Sequence, residues 1–78
     1  MNGIIPLNQL PLSKKAKVAY IKSNISTKRR MLDLGLIKDT IVEALYVSPS
    51  KDPKAYYFRG AVIALRSDEA SEIMVRPL

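Results

Sequence analysis

The stretch that decides the fold class is TIVEALYVSPSKDPKAYYFRGAVIALR, residues 40–66. It contains three runs rich in β-branched and aromatic residues, 40–47, 54–59 and 61–66, and each run is typical of a β-strand. Only the loop SPSKDP and Gly60 separate them. A parallel pair of strands needs a crossover of about a dozen residues or more. The strands are therefore predicted to pair antiparallel, which disfavours a parallel α/β fold.

Upstream of this stretch, the sequence predicts an N-terminal arm and one further strand. Residues 1–13 are interrupted by Pro6 and Pro11 and are interpreted as an arm. Residues 15–22, KAKVAYIK, alternate between two faces and predict a strand. The more apolar face includes Tyr20, so we expect Tyr20 to point into the core.

The segment STKRRMLDLG, residues 26–35, predicts a short helix from Thr27 to Leu34. Ser26 is suited to be its N-cap, and Gly35 is suited to end it because glycine tolerates the left-handed conformation that follows many helices. Four apolar residues of the helix and its end are assigned to the core: Met31, Leu32, Leu34 and Leu36.

A second helix is predicted over residues 67–74, with Ser67 as its N-cap, and Val75–Arg76 is left open as a last short strand. The predicted order is therefore β, α, β, β, β, α, with a further β left open. Short strands with tight connections favour a mainly β fold, a small curved sheet or partly closed barrel. We expect one domain over residues 1–78, with the barrel at about 14–76.

Basic charge is concentrated early in the chain and is densest in the first predicted helix. The net charge is +6; the first 32 residues carry seven cations and no acid, and the rest carry six cations and seven acids. Lys28, Arg29 and Arg30 fall in the first turn of that helix, where the helix dipole opposes each cation by about 0.3–1 kcal/mol. We therefore interpret them as contacts for an external partner. The alternative is a solvated face whose small cost is tolerated.

Several apolar side chains are predicted on outward faces of the strands: Ile41, Tyr46, Tyr57 and Val62. Grouped apolar residues can mark a partner surface, and Tyr and Arg are frequent binding anchors. We therefore expect Tyr46, Tyr57 and Arg59 to bind a partner together with the basic cluster. Two alternatives stay open: a bulge in residues 40–47 changes which side chains face outward, or this face pairs with a second copy of the chain.

The chain lacks the side chains on which most catalytic and metal sites depend. It has no His and no Cys, so imidazole catalysis, thiolate ligands and disulfides are excluded. Its acids show no metal-loop spacing, and carboxylates alone bind iron(II) weakly. The three glycines are isolated and form no phosphate-binding loop. We expect no catalytic, cofactor or metal site, no small-molecule substrate and no enzyme activity.

The sequence gives no sign of export or membrane insertion. The longest uncharged apolar run, AVIAL at residues 61–65, is far shorter than the roughly 18 residues that a membrane span requires. The N-terminal residues lack the basic and apolar regions of a signal peptide. We expect a soluble, cytoplasmic protein.

Three motifs in order, RRMLDLGLIKDT, SPSKDP and YYFRGAVIALRSDEASEIMV, resemble the FeoA family, known as ferrous iron transport protein A. The resemblance runs from Leu10–Pro11 to Val75, and it departs from the family pattern at Asp39, at Lys51 and in the PLS turn at residues 11–13. It implies an SH3-like barrel with a helix after its first strand. It also implies a small cytoplasmic accessory protein of bacterial ferrous iron uptake. The same domain ends some metal-dependent repressors, so transition-metal binding is implied only at the level of the family.

The resemblance and the basic cluster give two functional hypotheses. In the first, residues 28–30 with Tyr46, Tyr57 and Arg59 bind the cytoplasmic GTPase part of a membrane iron transporter. In the second, the basic half of the chain contacts the phosphates of a nucleic acid while tyrosines stack on its bases. The second is disfavoured because that half holds only Tyr20, which is expected to point inward.

Overall fold

One antiparallel sheet of six strands makes up most of the fold. The computed structural model describes residues 3–22 and 25–78, except for the side chains of residues 25–27. The strands are β1 (Ile5–Pro6), β2 (Lys15–Ile21), β3 (Ile41–Val47), β4 (Lys54–Phe58), β5 (Ala61–Leu65) and β6 (Ile73–Pro77). They lie in the order β1-β6-β2-β3-β4-β5, and all neighbours pair antiparallel. The predicted mainly β class is confirmed.

The last strand lies inside the sheet, next to the edge strand β1. β6 pairs with β1 on one side and with β2 on the other. The sequence suggested a helix running to residue 74, but that helix ends at Ala70. Ile73 and Val75 alternate into the core and are fully buried. Burial of these two residues between neighbouring strands outweighs the local helical pattern.

The N-terminal segment belongs to the core and is not an arm outside it. A 3-10 turn at Leu7–Gln9 follows β1, and Leu7 and Leu10 are fully buried. The ammonium group of Lys54 donates hydrogen bonds to the backbone carbonyls of Asn8 at 3.1 Å and of Leu10 at 3.4 Å. These bonds attach the segment to the sheet.

The first helix, α1 (Ile25–Asp33), starts earlier than the sequence predicts. Ser26 lies inside it, so the predicted N-cap is wrong, and the residue before the helix lies outside the described residues. It ends at Asp33, one residue before the predicted Leu34, and Gly35 follows its end in the predicted left-handed conformation. Gly35 has a φ of +93°, its N–H donates to the carbonyl of Leu32, and the N–H of Leu36 donates to that of Met31, both at 2.9 Å. This pair of bonds is a Schellman motif.

The second helix, α2 (Ser67–Ala70), is capped by carboxylates from two places in the chain. The N–H of Ser67 donates to Asp52 Oδ1 at 2.8 Å, and the N–H of Arg66 donates to Glu69 Oε1 at 3.0 Å. Arg66 is the N-cap residue, so the prediction of Ser67 is wrong. The Asp52 carboxylate comes from the loop before β4, which a local capping rule does not consider.

Register shifts in β2 and β3 change which side chains face outward. The pairing of β2 with β6 shifts between Val18 and Tyr20, and the pairing of β3 with β4 shifts between Ala44 and Tyr46. A bulge inserts an extra residue and so reverses the alternation beyond it. Tyr20 is consequently 50% exposed, which corrects the prediction that it points inward. Tyr46 is exposed as predicted.

The core includes one tyrosine whose hydroxyl is isolated. Tyr56 is fully buried, and its hydroxyl has no hydrogen-bond partner among the described residues. Burial raises the pKa of Tyr56 to about 12, and the negative charge of Asp52 adds to this effect. The phenol is therefore neutral at physiological pH.

Tyr56 is expected to make stability fall at high pH. Its pKa is about 10 when unfolded and about 12 when folded, so the folded chain retains the proton that the unfolded chain loses. The free energy of unfolding should therefore fall between about pH 10 and 12, by on the order of 2 kcal/mol for this group. Chemical denaturation at several pH values tests this. Tyr56→Phe should lose this component and Tyr57→Phe should retain it; the same pH dependence in both variants would contradict the assignment.

Candidate functional site

The basic cluster lies along α1, and its position differs from the prediction. Lys28, Arg29 and Arg30 are all exposed. Because α1 begins at Ile25, Lys28 is its fourth residue and Arg30 lies in its last turn. The dipole favours cations near a helix C-terminus. The predicted conflict between the whole cluster and the helix dipole is therefore wrong.

Arg30 makes an intramolecular contact. Its guanidinium forms an ion pair with the carboxylate of Glu69 in α2, while 52% of the Arg30 side chain stays exposed. Exposed ion pairs contribute about 0–1 kcal/mol. Arg30 therefore links the two helices and is less available to a partner than its neighbours.

Lys28 and Arg29 are the available cations of the cluster. Within residues 3–22 and 25–78, neither forms an ion pair. Together with Leu32 and Asp33, they line a shallow depression of about 270 Å³. Cationic and apolar side chains therefore share one side of the helix with the carboxylate of Asp33.

An apolar groove of about 250 Å³ lies next to this depression, between α1 and β2. Its lining residues are Val18, Ala19, Tyr20, Ile21, Lys28, Leu32, Leu36, Ile37 and Lys38. Tyr20, Leu32 and Ile37 are 44–50% exposed. The two hollows adjoin, because Lys28 and Leu32 line both. We call the combined feature the α1 surface, made up of Tyr20, Lys28, Arg29, Leu32, Ile37 and Lys38.

The sequence interpretation missed the apolar part of the α1 surface. Leu32 was assigned to the core, but it is 44% exposed, whereas Met31 and Leu36 are buried. A signal existed in the sequence, because Leu32 follows Lys28 by four residues and shares its side of a helix. Tyr20 had no such signal, since its orientation depends on the bulge in β2.

The two tyrosines predicted to bind a partner lie on another part of the sheet. Tyr46 and Tyr57 are 59% and 44% exposed, on β3 and β4. Tyr57 lies opposite Glu43 in the ladder, and neither tyrosine lines the α1 surface. Their partner-binding role, and self-association through this face, stay predictions from the sequence.

Arg59 approaches the end of α1 from the hairpin between β4 and β5. Arg59 and Gly60 form its two-residue turn, with φ values of +53° and +79°, both positive as a type I′ turn requires. A Cβ added to Gly35 would lie 2.8 Å from Arg59 Cδ and 2.9 Å from Nε. The Arg59 side chain therefore crosses Gly35 closely, where the helix dipole favours a cation.

The described residues supply no ligand set for a tightly bound transition metal. Within these ranges, no three His, Cys, Asp or Glu side chains come together, and the whole chain has neither His nor Cys. Protein zinc sites bind the ion mainly through Cys and His side chains, so the described residues do not form a zinc site of the usual kind. In the same ranges, no helix has the length and apolar character needed to cross a bilayer.

Comparison with known proteins identifies the family. The model of the FeoA domain matches residues 5–77. The chain belongs to the FeoA family. The solution structure of a FeoA-like protein from Clostridium acetobutylicum is 32% identical, with a TM-score of 0.91; the match covers 100% of this chain and 91% of that one. No curated protein matches the sequence.

Two further structures show how the fold is used elsewhere. FeoA from Stenotrophomonas maltophilia, crystallised with zinc, is 29% identical with a TM-score of 0.79, covering 88% of this chain and 86% of that one. It is described as a prokaryotic SH3 domain protein and a candidate activating factor for ferrous iron transport. A manganese-dependent transcriptional repressor shares the fold at 19% identity, with a TM-score of 0.87, covering 100% of this chain and 44% of that one.

The comparisons confirm the fold and family predicted from the sequence motifs. This FeoA protein has an SH3-like fold, and its family is associated with ferrous iron transport. Family members are small accessory proteins and not enzymes. Function therefore has to be sought in the surfaces that the fold presents.

Substitution of Gly35 tests the packing of Arg59 on α1. Gly35→Ala places a side chain at a φ of +93° and a Cβ against the flexible end of the Arg59 side chain, so we expect it to lower the free energy of unfolding by the roughly 1–2 kcal/mol of the backbone penalty plus a small cost of displacing Arg59. Gly60→Ala is the matched control, because its φ is also positive but no atom lies within 4 Å of the added Cβ. Chemical denaturation measures both. The difference between them should shrink in an Arg59→Ala background, and an unchanged difference would contradict this packing.

Proposed function

We propose that this protein is a cytoplasmic accessory protein of bacterial ferrous iron uptake. It acts by binding the cytoplasmic GTPase part of a membrane iron transporter through the α1 surface. Membership of the FeoA family supports the link to ferrous iron transport. We choose this surface because the available cations Lys28 and Arg29 lie beside exposed apolar side chains on one side of the molecule.

The chemistry of the α1 surface favours a partner segment that is both acidic and apolar. Tyr20, Leu32 and Ile37 provide apolar area in a groove, as the buried centre of an interface requires. Lys28, Arg29 and Lys38 supply charge around it, where charge governs association rate and specificity more than affinity. A net charge of +6 also attracts an acidic face at long range.

The proposed mechanism is a shift in the conformational populations of the partner. A binding protein changes such an equilibrium only as far as it binds one state more tightly than the other. A tenfold difference in affinity corresponds to about 1.4 kcal/mol and shifts the ratio of states tenfold. α1 suits this role because its own residue Met31 is buried in the core and the Arg30–Glu69 ion pair joins the helix to α2. A platform held in place loses little conformational entropy on binding.

Charge reversal on α1 tests this function. Lys28→Glu/Arg29→Glu should weaken binding to the purified transporter GTPase domain by about tenfold or more, because rim attraction becomes repulsion. Isothermal titration calorimetry measures the affinity, and growth on limiting ferrous iron measures the consequence. Thermal stability should be retained, since neither residue forms an ion pair within the described ranges.

Lys17→Glu/Arg76→Glu is the matched control for that experiment, because it changes the net charge by the same amount and both residues are exposed cations, on β2 and β6, that do not line the α1 surface. It should bind almost as tightly as the wild type. Equal losses in the control and in Lys28→Glu/Arg29→Glu would show only an effect of net charge. Wild-type affinity in Lys28→Glu/Arg29→Glu would reject the α1 surface as the binding site.

A second candidate function, binding of single-stranded nucleic acid, gains one observation from the structure. Tyr20 is exposed and lines the groove with Lys28 and Lys38. The objection that no aromatic ring faces outward among the cations therefore no longer holds. Stacking of a base on an aromatic ring contributes about 1–3 kcal/mol, so Tyr20 is the residue on which this function would depend.

Oligonucleotide titrations separate the two functions. If the α1 surface binds protein, replacing Tyr20 should not change the affinity for single-stranded DNA, even at low salt. Fluorescence anisotropy at low and moderate salt measures this for single-stranded and duplex DNA, with Tyr20→Ala compared with Tyr46→Ala. Binding that falls steeply with salt and is lost only in Tyr20→Ala would favour nucleic acid, since phosphate contacts release counterions.

A further inference from the structure

The sheet has two edge strands, and the sequence protects only one of them. β1 has two residues, and one of these is Pro6, which has no N–H to offer to a further strand. β5 has five residues, Ala61–Leu65, with neither a proline nor a charged side chain, and its pairing with β4 contains no register shift. Natural edge strands are usually short, bulged, charged or interrupted by proline, because an open edge can pair with another chain. β5 is therefore an unprotected edge.

The backbone groups of Val62 and Ala64 point away from the sheet. The turn between β4 and β5 has two residues, so Ala61 directly after it exchanges hydrogen bonds with Phe58. Alternation along the ladder directs the groups of Ile63 towards β4 and those of Val62 and Ala64 to the open edge. Among the described residues, neither of these two makes a further backbone hydrogen bond. Two N–H donors and two carbonyl acceptors are thus left for another strand.

The side chains along this edge are apolar and exposed. Val62 is 53% exposed and lies opposite Tyr57 in the ladder, and Ala64 is also exposed, opposite Ala55. Ile63 lies between them and packs against the core on the other face of the sheet. The outward side chains of the open edge therefore extend the apolar face to which Tyr57 belongs.

The open part of the edge is short, and its length is fixed at both ends. It begins after Gly60, in the turn. At the other end, the N–H of Arg66 donates to Glu69 Oε1 at 3.0 Å, and its carbonyl accepts from the N–H of Ala70 at 2.9 Å. Both groups of Arg66 are therefore used by α2. An incoming strand meets only the four open groups described above.

We propose that β5 pairs antiparallel with β5 of a second copy of this chain. With Ile63 of the two copies opposite each other, Val62 of each copy pairs with Ala64 of the other, and four hydrogen bonds use every open group. The contact is isologous and closes at two copies. The second copy fits this edge in length, because its open groups end at the same residues. It also fits in side chains, because the larger Val62 meets the smaller Ala64.

Charges beyond the ends of β5 favour this register. The pairing brings Arg59 of one copy towards the start of α2 in the other, because residues 59 and 67 lie at equal distances from Ile63 in the sequence. The next residue, Asp68, is exposed and forms no ion pair within residues 3–22 and 25–78. An acid therefore lies near each incoming cation. The net charge of +6 opposes association at long range, but salt screens this repulsion over about 8 Å under physiological conditions.

The dimer should be weak and should respond to salt in a characteristic way. Two five-residue strands bury far less than the roughly 1,600 Å² of a standard interface. We therefore expect a dissociation constant on the order of 0.1–1 mM. Added salt should strengthen the dimer, whereas it should weaken the binding of an acidic partner to the α1 surface. The inference does not depend on the function proposed for that surface.

Sedimentation equilibrium of the full chain, from about 10 µM to about 1 mM, measures the association, and NMR locates it. As dimer forms, the amides of Val62 and Ala64 should exchange with solvent more slowly, in proportion to the fraction of chains that is paired. The amide of Ile63 is already bonded to β4 and should change little. This alternation distinguishes strand pairing from a contact through side chains alone.

Charged variants of the edge test the pairing. Val62→Lys/Ala64→Lys should weaken association by at least about tenfold, because it places like charges opposite each other across the two strands. Val62→Glu/Ala64→Glu should do the same by itself, but an equimolar mixture of the two variants should dimerise again. The restored dimer shows that both variants fold. Gln9→Lys/Ser50→Lys adds the same charge at exposed positions outside β5 and should associate almost like the wild type.

Three results would overturn the proposal: a chain that stays monomeric at about 1 mM, an association unchanged in Val62→Lys/Ala64→Lys, or a dimer in which the amides of Val62 and Ala64 are not protected. Protection of these amides only after addition of the transporter GTPase domain would also overturn it, and would assign the edge to a strand of that partner. The Lys28→Glu/Arg29→Glu variant should self-associate at least as strongly as the wild type, which separates this interface from the α1 surface.

Discussion

The candidate site depends on the register shift in β2 between Val18 and Tyr20. Up to Val18, alternate side chains of β2 enter the core; beyond the shift, Tyr20 faces outward and Ile21 packs against the core. Tyr20 then forms one wall of the groove that Leu32 and Ile37 complete. With regular alternation, Tyr20 would point inward and the groove would lose that wall. One extra residue in the pairing therefore creates the apolar half of the α1 surface.

The cations around α1 divide into two roles. Arg30 pairs with Glu69, and Arg59 crosses Gly35 at the end of the helix. These contacts hold α1 against α2 and the β4–β5 hairpin. Lys28 and Arg29 form no ion pair in the described part of the chain, so their charge is available to a partner. Of the three consecutive cations, Arg30 is thus paired within the molecule, whereas Lys28 and Arg29 are available to a partner.

Much of the fold could be predicted from the sequence, because tight connections force neighbouring strands to pair antiparallel. The exposure of Tyr57 was also predictable from alternation, whereas that of Tyr46 depends on the register shift in β3. The failures have non-local causes. β6 forms because two strands that are distant in sequence pair with it, and α2 is capped by Asp52, 15 residues before Ser67. Local sequence patterns do not reveal the bulge that exposes Tyr20. They also do not reveal that Leu7 and Leu10 are buried, because prolines interrupt that segment.

The central claim is that a partner protein binds the α1 surface. NMR cross-saturation tests it most directly: the deuterated, ¹⁵N-labelled chain is bound to the unlabelled GTPase domain of the transporter, and the loss of signal is measured at each amide. If a partner binds there, the largest losses should fall at Tyr20, at residues 28–32 and at residues 37–38. Losses concentrated instead around Tyr46 and Tyr57 on β3 and β4 would contradict it.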